Sequence, residues 1–162
     1  MLAALVVSAL LSQAAPPELT VYVFTTTDCP ISNRYAPEIE RLAAKFKTHA
    51  RFVLVYPVHT DTAGKIAAHR QKFAYTIDWL RDADQKLVKL TGATMTPEVA
   101  VMKGHERLYR GRIDDRYIDL GRDRLAPTQR DLENALTAAI AGKPIAVKET
   151  QAVGCIMSDL IK

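Results

Sequence analysis

Cys29 and Cys155 are the only two cysteines among 162 residues, and their surroundings differ. A β-branched and aromatic run, LTVYVFT at 19–25, gives way at Cys29 to Pro30 and then to helical spacing. Proline favours the first helical position because its missing N–H costs nothing there. Cys29 is therefore expected at the helix cap, where unpaired N–H groups and the helix dipole stabilise an anion. A thiol so placed should ionise below its usual range and act as a nucleophile or a metal ligand, although Asp28 beside it pushes the other way. A small buried core cysteine is the plainer alternative. In Cys29-Pro30-Ile31-Ser32 the fourth residue offers no thiolate, so exchange inside a local Cys-x-x-Cys pair is excluded. A second thiol must come from Cys155, in Val-Gly-Cys-Ile, or from another molecule.

The elements that must position these thiols can be read from periodicity. Residues 19–25 predict a buried strand. Ile31, Tyr35, Ile39, Leu42 and Phe46 recur every three or four residues, which predicts one amphipathic helix over 30–47. Residues 51–58 (RFVLVYPV) predict a second strand, and residues 62–74 a helix with Ile66, Arg70 and Phe73 on one face. A short extended piece at 77–81 carries Trp79, and a short helix at 84–91 stops at Gly92. Residues 98–103 and 106–110 predict a hairpin turned at Gly104. Pro127-Thr128 opens a last helix with Leu132, Leu136, Ala139 and Ile140 on one face and Gly142 at its end. This order is α/β with one parallel section. Residues 112–126 hold four Arg and four Asp and are expected as a solvated loop, the alternative being an insertion that covers a site or docks a partner. Residues 143–162 show no periodicity and are expected as a flexible tail bearing Cys155. His49, His69 and His105 read as ordinary surface residues.

Composition narrows the class. With 48% hydrophobic and 25% charged residues the chain is globular. The net charge of +4 comes from scattered rather than banded basic residues, which argues against a nucleic-acid partner. Two cysteines are too few for a disulfide scaffold, and no apolar stretch reaches the roughly 18 residues of a membrane span. Residues 1–15 contain no charged side chain, and twelve of the fifteen are apolar. With small residues at Ser12 and Ala14 and Pro16-Pro17 following, they read as a signal peptide, a buried N-terminal element being the alternative. Cleavage implies a periplasmic or secreted protein whose cysteines can pair; otherwise the protein is cytoplasmic. The expected organisation is a signal segment at 1–15, one domain at 16–142 and a tail at 143–162.

Strand, Thr26-Thr27-Asp28-Cys29-Pro30 and helix together resemble thioredoxin-fold proteins of the redoxin class. That class includes the peroxiredoxins, the alkyl hydroperoxide reductase and thiol-specific antioxidant family. Thr26 matches their Thr-x-x-Cys, and Thr96-Pro97 resembles the cis-proline loop that packs beside the active cysteine. The segments CPISNRYAPE at 29–38 and RGRIDD at 110–115, with Gly154-Cys155, are similar to a bacterial redoxin subgroup. The resemblance implies a thioredoxin-like fold, a mixed central sheet flanked by helices. It makes Cys29 the nucleophile toward a peroxide or a protein disulfide, and Cys155 the resolving thiol. It gives Thr26 a hydrogen bond to the thiolate or substrate, Pro97 the facing loop, and one of Arg34, Arg110 and Arg112 the task of keeping the thiolate ionised. No cofactor is implied; the partner is an external thiol reductant or a thioredoxin-like protein. Two departures stand out: Tyr22 where peroxiredoxins usually have proline, and Ser32 where thioredoxins have cysteine. Copper chaperones of the Sco type share the fold, and Cys29 and Cys155 with His59 or Met157 offer a soft copper(I) site, although Asn33 stands where their second cysteine falls. A non-catalytic partner-binding domain is the remaining alternative.

Overall fold

The computed structural model describes residues 17–157, so the expected signal segment at 1–15 lies outside the described residues. The chain runs β1 (Leu19–Phe24), α1 (Pro30–Arg34), α2 (Ala36–Phe46), β2 (Ala50–Tyr56), α3 (Ala63–Lys72), β3 (Asp78–Arg81) and α4 (Lys86–Thr91). It continues through β4 (Met95–Thr96), β5 (Glu98–Lys103), β6 (Glu106–Gly111), β7 (Tyr117–Asp119), β8 (Arg122–Asp123), α5 (Asp131–Ile140) and β9 (Cys155–Ile156). Five strands form one sheet in the order β3-β2-β1-β5-β6. The β1–β2 and β2–β3 pairs are parallel, while β5 and β6 run antiparallel to their neighbours, so the sheet is mixed. Among the described residues no helix is long and apolar enough to cross a membrane.

Side chains alternate across the sheet with period two. On one face Val21, Val23, Leu54, Tyr56, Val99 and Val101 pack against Ile39, Leu42 and Phe46 of α2, Ile66 of α3 and Leu132 and Leu136 of α5. On the other, Phe24, Val55 and Ala100 meet Val88 of α4, Ala93 and Met157. The strands follow the apolar runs of the sequence closely; the departures lie between them.

The single helix expected over 30–47 is two helices meeting at Tyr35. Pro37 is the cause: it has no N–H for the carbonyl four residues back, so the first helix must close on itself. The Tyr35 N–H closes that end by bonding the carbonyls of Ile31 and Ser32. The last helix begins at Asp131, not at Pro127, because Asp115 holds the residues before it in another shape. The Asp115 carboxylate accepts the N–H groups of Thr128 (2.6 Å) and Gln129 (2.8 Å) as well as the Thr128 hydroxyl.

Residues 112–126 are a solvated loop only in their second half: from residue 118 onward they are largely exposed, whereas the first half turns inward. Ile113, Asp114, Asp115 and Tyr117 are buried, the Tyr35 hydroxyl donates to Asp114 at 2.5 Å, and β7 and β8 form a small ribbon. The tail is likewise packed. The Arg110 N–H donates to the Lys148 carbonyl and the Thr150 N–H to the Arg110 carbonyl, both at 3.0 Å. At Gly111 (φ +146°) a Cβ would meet the Thr150 hydroxyl oxygen at 2.2 Å, so glycine is what lets the tail lie on β6.

Burial raises the Asp115 carboxyl, but the Thr128 and Gln129 donors and Arg124 outweigh it and hold the group below the usual carboxylate range. Its stabilisation is therefore complete at neutral pH and is lost only on strong acidification, as pH falls through the depressed value. Asp115→Ala should cost about 2 kcal/mol at pH 7 through the unsatisfied N–H groups it leaves, read as a lowered denaturation midpoint at unchanged slope.

Candidate functional site

Cys29 ends the loop after β1 and caps α1 with extended backbone (φ −83°, ψ 112°), Pro30 occupying the first turn. It is 1% exposed. Across from it, the chain between β4 and β5 turns through the cis peptide bond Thr96–Pro97. The tail brings the third component: β9 runs antiparallel to β4, with Cys155 opposite Thr96. The two sulfurs lie 2.6 Å apart, and the Cys29 thiol reaches the Thr96 carbonyl at 3.1 Å. A disulfide bond, at about 2.05 Å, needs little further approach. Gly154 permits this contact, since a Cβ there would stand 2.1 Å from the Thr96 carbonyl oxygen.

The two thiols are driven in opposite directions. Burial pushes Cys29 up, but the Cys155 thiol, the hydroxyl and N–H of Ser32, and Thr96 act on its sulfur and bring it below its ordinary value. The Ser32 hydroxyl is buried and has no hydrogen-bond partner among the described residues. Burial also pushes Cys155 up, and there the neighbouring Cys29 adds to it, so that Cys155 rises to about 12. One proton is thus held on Cys155 and donated toward Cys29. Such a pair contains one nucleophile and one thiol in reserve.

Beneath α1 lies a polar chain that the sequence reading missed. His69 is buried, not a surface residue: its Nε2 meets Asn33 Oδ1 at 2.7 Å and its Nδ1 the Tyr56 hydroxyl at 2.9 Å. Because Asn33 Oδ1 only accepts, Nε2 carries the proton and Nδ1 accepts from Tyr56. Burial lowers His69 below its usual value against the pull of Asp61 and Asp28, keeping it neutral. The Thr27 hydroxyl donates to Asp61 at 2.6 Å and fixes the loop that leads into Cys29. The available signal was Ile66-His69-Phe73, spacing that places His69 rather than Arg70 on the apolar face of α3.

The remaining expected site residues are distributed as follows. Thr26 meets Cys29 through its backbone, its carbonyl accepting the Cys29 N–H at 3.5 Å. Arg34 donates to the Tyr117 hydroxyl at 3.4 Å and lines a cavity together with Cys155. Arg110 and Arg112 are not brought to Cys29. Arg110 bonds Glu98 (2.9 Å), the Gly92 carbonyl (2.8 Å) and Glu149, and Arg112 bonds Asp131 at 2.7 Å. Met157 is buried in the smaller core, on the sheet face opposite the cluster that contains Cys29. The carbonyl of His59 takes the Arg81 guanidinium at 2.8 Å. Among the described residues no three His, Cys, Asp or Glu side chains gather as a metal site.

Two outcomes test this geometry. Cys155→Ala removes a donor to the Cys29 sulfur, so the inflection of Cys29 alkylation rate against pH should move upward. Gly154→Ala should unseat β9 and slow formation of the Cys29–Cys155 disulfide in a glutathione redox buffer, Cys29 itself staying reactive.

No protein-family model matches the sequence, and no curated protein matches it. Solved structures do. An uncharacterized conserved protein from Geobacillus kaustophilus superposes with a TM-score of 0.76 at 22% identity, over 91% of this chain and 80% of that one. A thioredoxin-like protein in its oxidized form gives 0.58 at 15% identity, over 79% and 81%. A secreted disulfide oxidoreductase from Mycobacterium tuberculosis, homologous to DsbE of Escherichia coli, gives 0.50 at 18% identity, over 75% and 81%. Together with the mixed sheet flanked by helices, these likenesses establish that the chain has a thioredoxin-like fold.

Proposed function

We propose that the protein is a thiol–disulfide oxidoreductase whose redox pair is Cys29 and Cys155. The observation that carries this reading is the 2.6 Å approach of two thiols whose acidities are shifted in opposite directions. The disulfide oxidoreductase among the structural neighbours supports it.

The chemistry balances on sulfur alone and asks for no cofactor. The Cys29 thiolate attacks one sulfur of a substrate disulfide, forming a mixed disulfide and expelling the other sulfur as thiolate. Cys29 then no longer carries charge, so one of the causes that raise Cys155 is gone and Cys155 loses its proton more readily. The Cys155 thiolate attacks the Cys29 sulfur, the Cys29–Cys155 bond forms, and the second substrate sulfur leaves as thiolate. The substrate is reduced by two electrons and the protein oxidised by two. An external thiol or a thioredoxin-like partner then restores the dithiol.

Peroxide reduction, the other chemistry the resemblance implies, starts from the same thiolate but profits from a guanidinium at the sulfur. Arg110 and Arg112 are held by carboxylates elsewhere, and Arg34, though it shares a cavity with Cys155, turns to Tyr117 and Asp123 rather than to the Cys29 sulfur, which favours disulfide exchange. Export through the N-terminal segment, if cleaved, would place the pair where a Cys29–Cys155 disulfide can persist.

Oxidised protein should yield a Cys29–Cys155 peptide on non-reducing mass mapping. Cys155→Ser should accumulate mixed disulfides on Cys29 and lose turnover with a model disulfide by at least about tenfold, since no other thiol in the chain can resolve them. A Cys155→Ser variant that turns over like wild type would sink the two-cysteine reading.

A further inference from the structure

Cys29 lies under Cys155. Its side chain is 1% exposed, whereas Cys155 is partly exposed and lines a cavity of about 380 Å3. The other walls include Pro30, Ile31, Arg34, Tyr117, Leu120 and Asp123. The volume is of the size that takes a small molecule. At its rim Asp123 is shared by two guanidiniums, Arg34 and Arg116, each 3.8 Å away. Arg34 lines the cavity, and its carboxylate partner Asp123 is also engaged by Arg116 from outside the cavity, so the Arg34 charge is only partly offset and attracts an anion. A planar guanidinium, with several donors in a fixed fork, suits a carboxylate best.

Resting on the disulfide reading above, we propose that this cavity receives a small carboxylate-bearing thiol, which attacks the Cys155 sulfur of the disulfide and expels Cys29. Written out, the incoming thiolate forms a bond to Cys155 Sγ while the Sγ–Sγ bond breaks, and its electron pair leaves on Cys29 as thiolate. A second thiolate attacks the sulfur of the bound thiol, releases it as a symmetric disulfide, and leaves Cys155 to take a proton from water. Two external thiols are oxidised and one protein disulfide is reduced.

Two separate arguments select Cys155 as the attacked sulfur. The first is access: while β9 is paired with β4, Cys155 lines the cavity and Cys29 lies beneath it, open to a substrate only once β9 shifts. The second is leaving-group chemistry: the thiolate of lower pKa departs faster, and only Cys29 has groups other than its partner thiol, Ser32 and Thr96, that lower it and can hold the departing charge. The two half-reactions thus begin at different sulfurs. Cys29 attacks when the protein is oxidised by a substrate, and Cys155 is attacked when it is reduced. Arg34 becomes the residue that selects the reductant.

The test uses the full chain oxidised with diamide, its free thiols counted, then mixed with reduced glutathione or with neutral 2-mercaptoethanol and quenched in acid. Mass mapping should find the glutathione adduct on Cys155. Arg34→Gln should lower the ratio of glutathione to 2-mercaptoethanol rate constants by about threefold, the size expected for one partly exposed charge contact. An adduct on Cys29, or a ratio unmoved by Arg34→Gln, overturns the proposal. If the diamide-treated protein still shows two free thiols before any reductant is added, the disulfide reading itself fails, and this proposal fails with it at a stage the adduct map never reaches.

Discussion

The site depends on one close approach, the backbone of Gly154 against the carbonyl of Thr96. A strand can lie that near a loop only where no Cβ stands between them, and the contact fixes the register in which Cys155 faces Thr96. Cys29 is fixed to the same carbonyl from the other side by its own thiol. Thr96 is therefore the common reference for both sulfurs, and the cis bond to Pro97 sets where its carbonyl points. The rest of the fold serves this meeting: α1 carries Cys29, β5 anchors the proline loop, and β6 carries the tail.

Two chemically alike side chains become unlike in this arrangement through burial and hydrogen bonding. Burial acts on both thiols in the same direction. What separates them is the sense of the hydrogen bond between them, together with the extra donors that Ser32 supplies only to Cys29. Two sulfurs so close cannot both carry charge, so the pair gives up its first proton easily and its second with difficulty. Ser32 also shows how the chain differs from a protein with a local dithiol. The position that would hold a second cysteine instead holds a hydroxyl that tunes the first, and the second thiol arrives from 126 residues away.

The sheet was legible because its strands are long apolar runs whose type no local feature contradicts, and Cys29 was legible because proline marks a helix start. The misreadings share a cause: they concern residues whose partner is remote in sequence. Asp115 reaches Thr128 and Gln129 and delays the last helix; Asp114 reaches Tyr35 and draws an apparently solvated segment inward. His69 finds Asn33 and Tyr56 across three elements. Arg110 looked available to a thiolate because its carboxylate partners, Glu98 and Glu149, lie 12 and 39 residues away. Pro37 was the exception, a local signal overridden by a periodicity that ran straight through it.

The tail is fastened at two places, Lys148 to Thr150 along β6 and Cys155 to Ile156 along β4. Residues 151–154, which make no backbone hydrogen bond of either ladder, join them. Release of the second fastening therefore leaves Cys155 on a tether of a few residues, which at about 3.3 Å each confines its sulfur to within roughly 16 Å of the first anchor. Over that distance return is a local search, and a span this short closes on the scale of about a hundred nanoseconds or less. The second thiol thus remains present at high effective concentration whether or not its strand is paired.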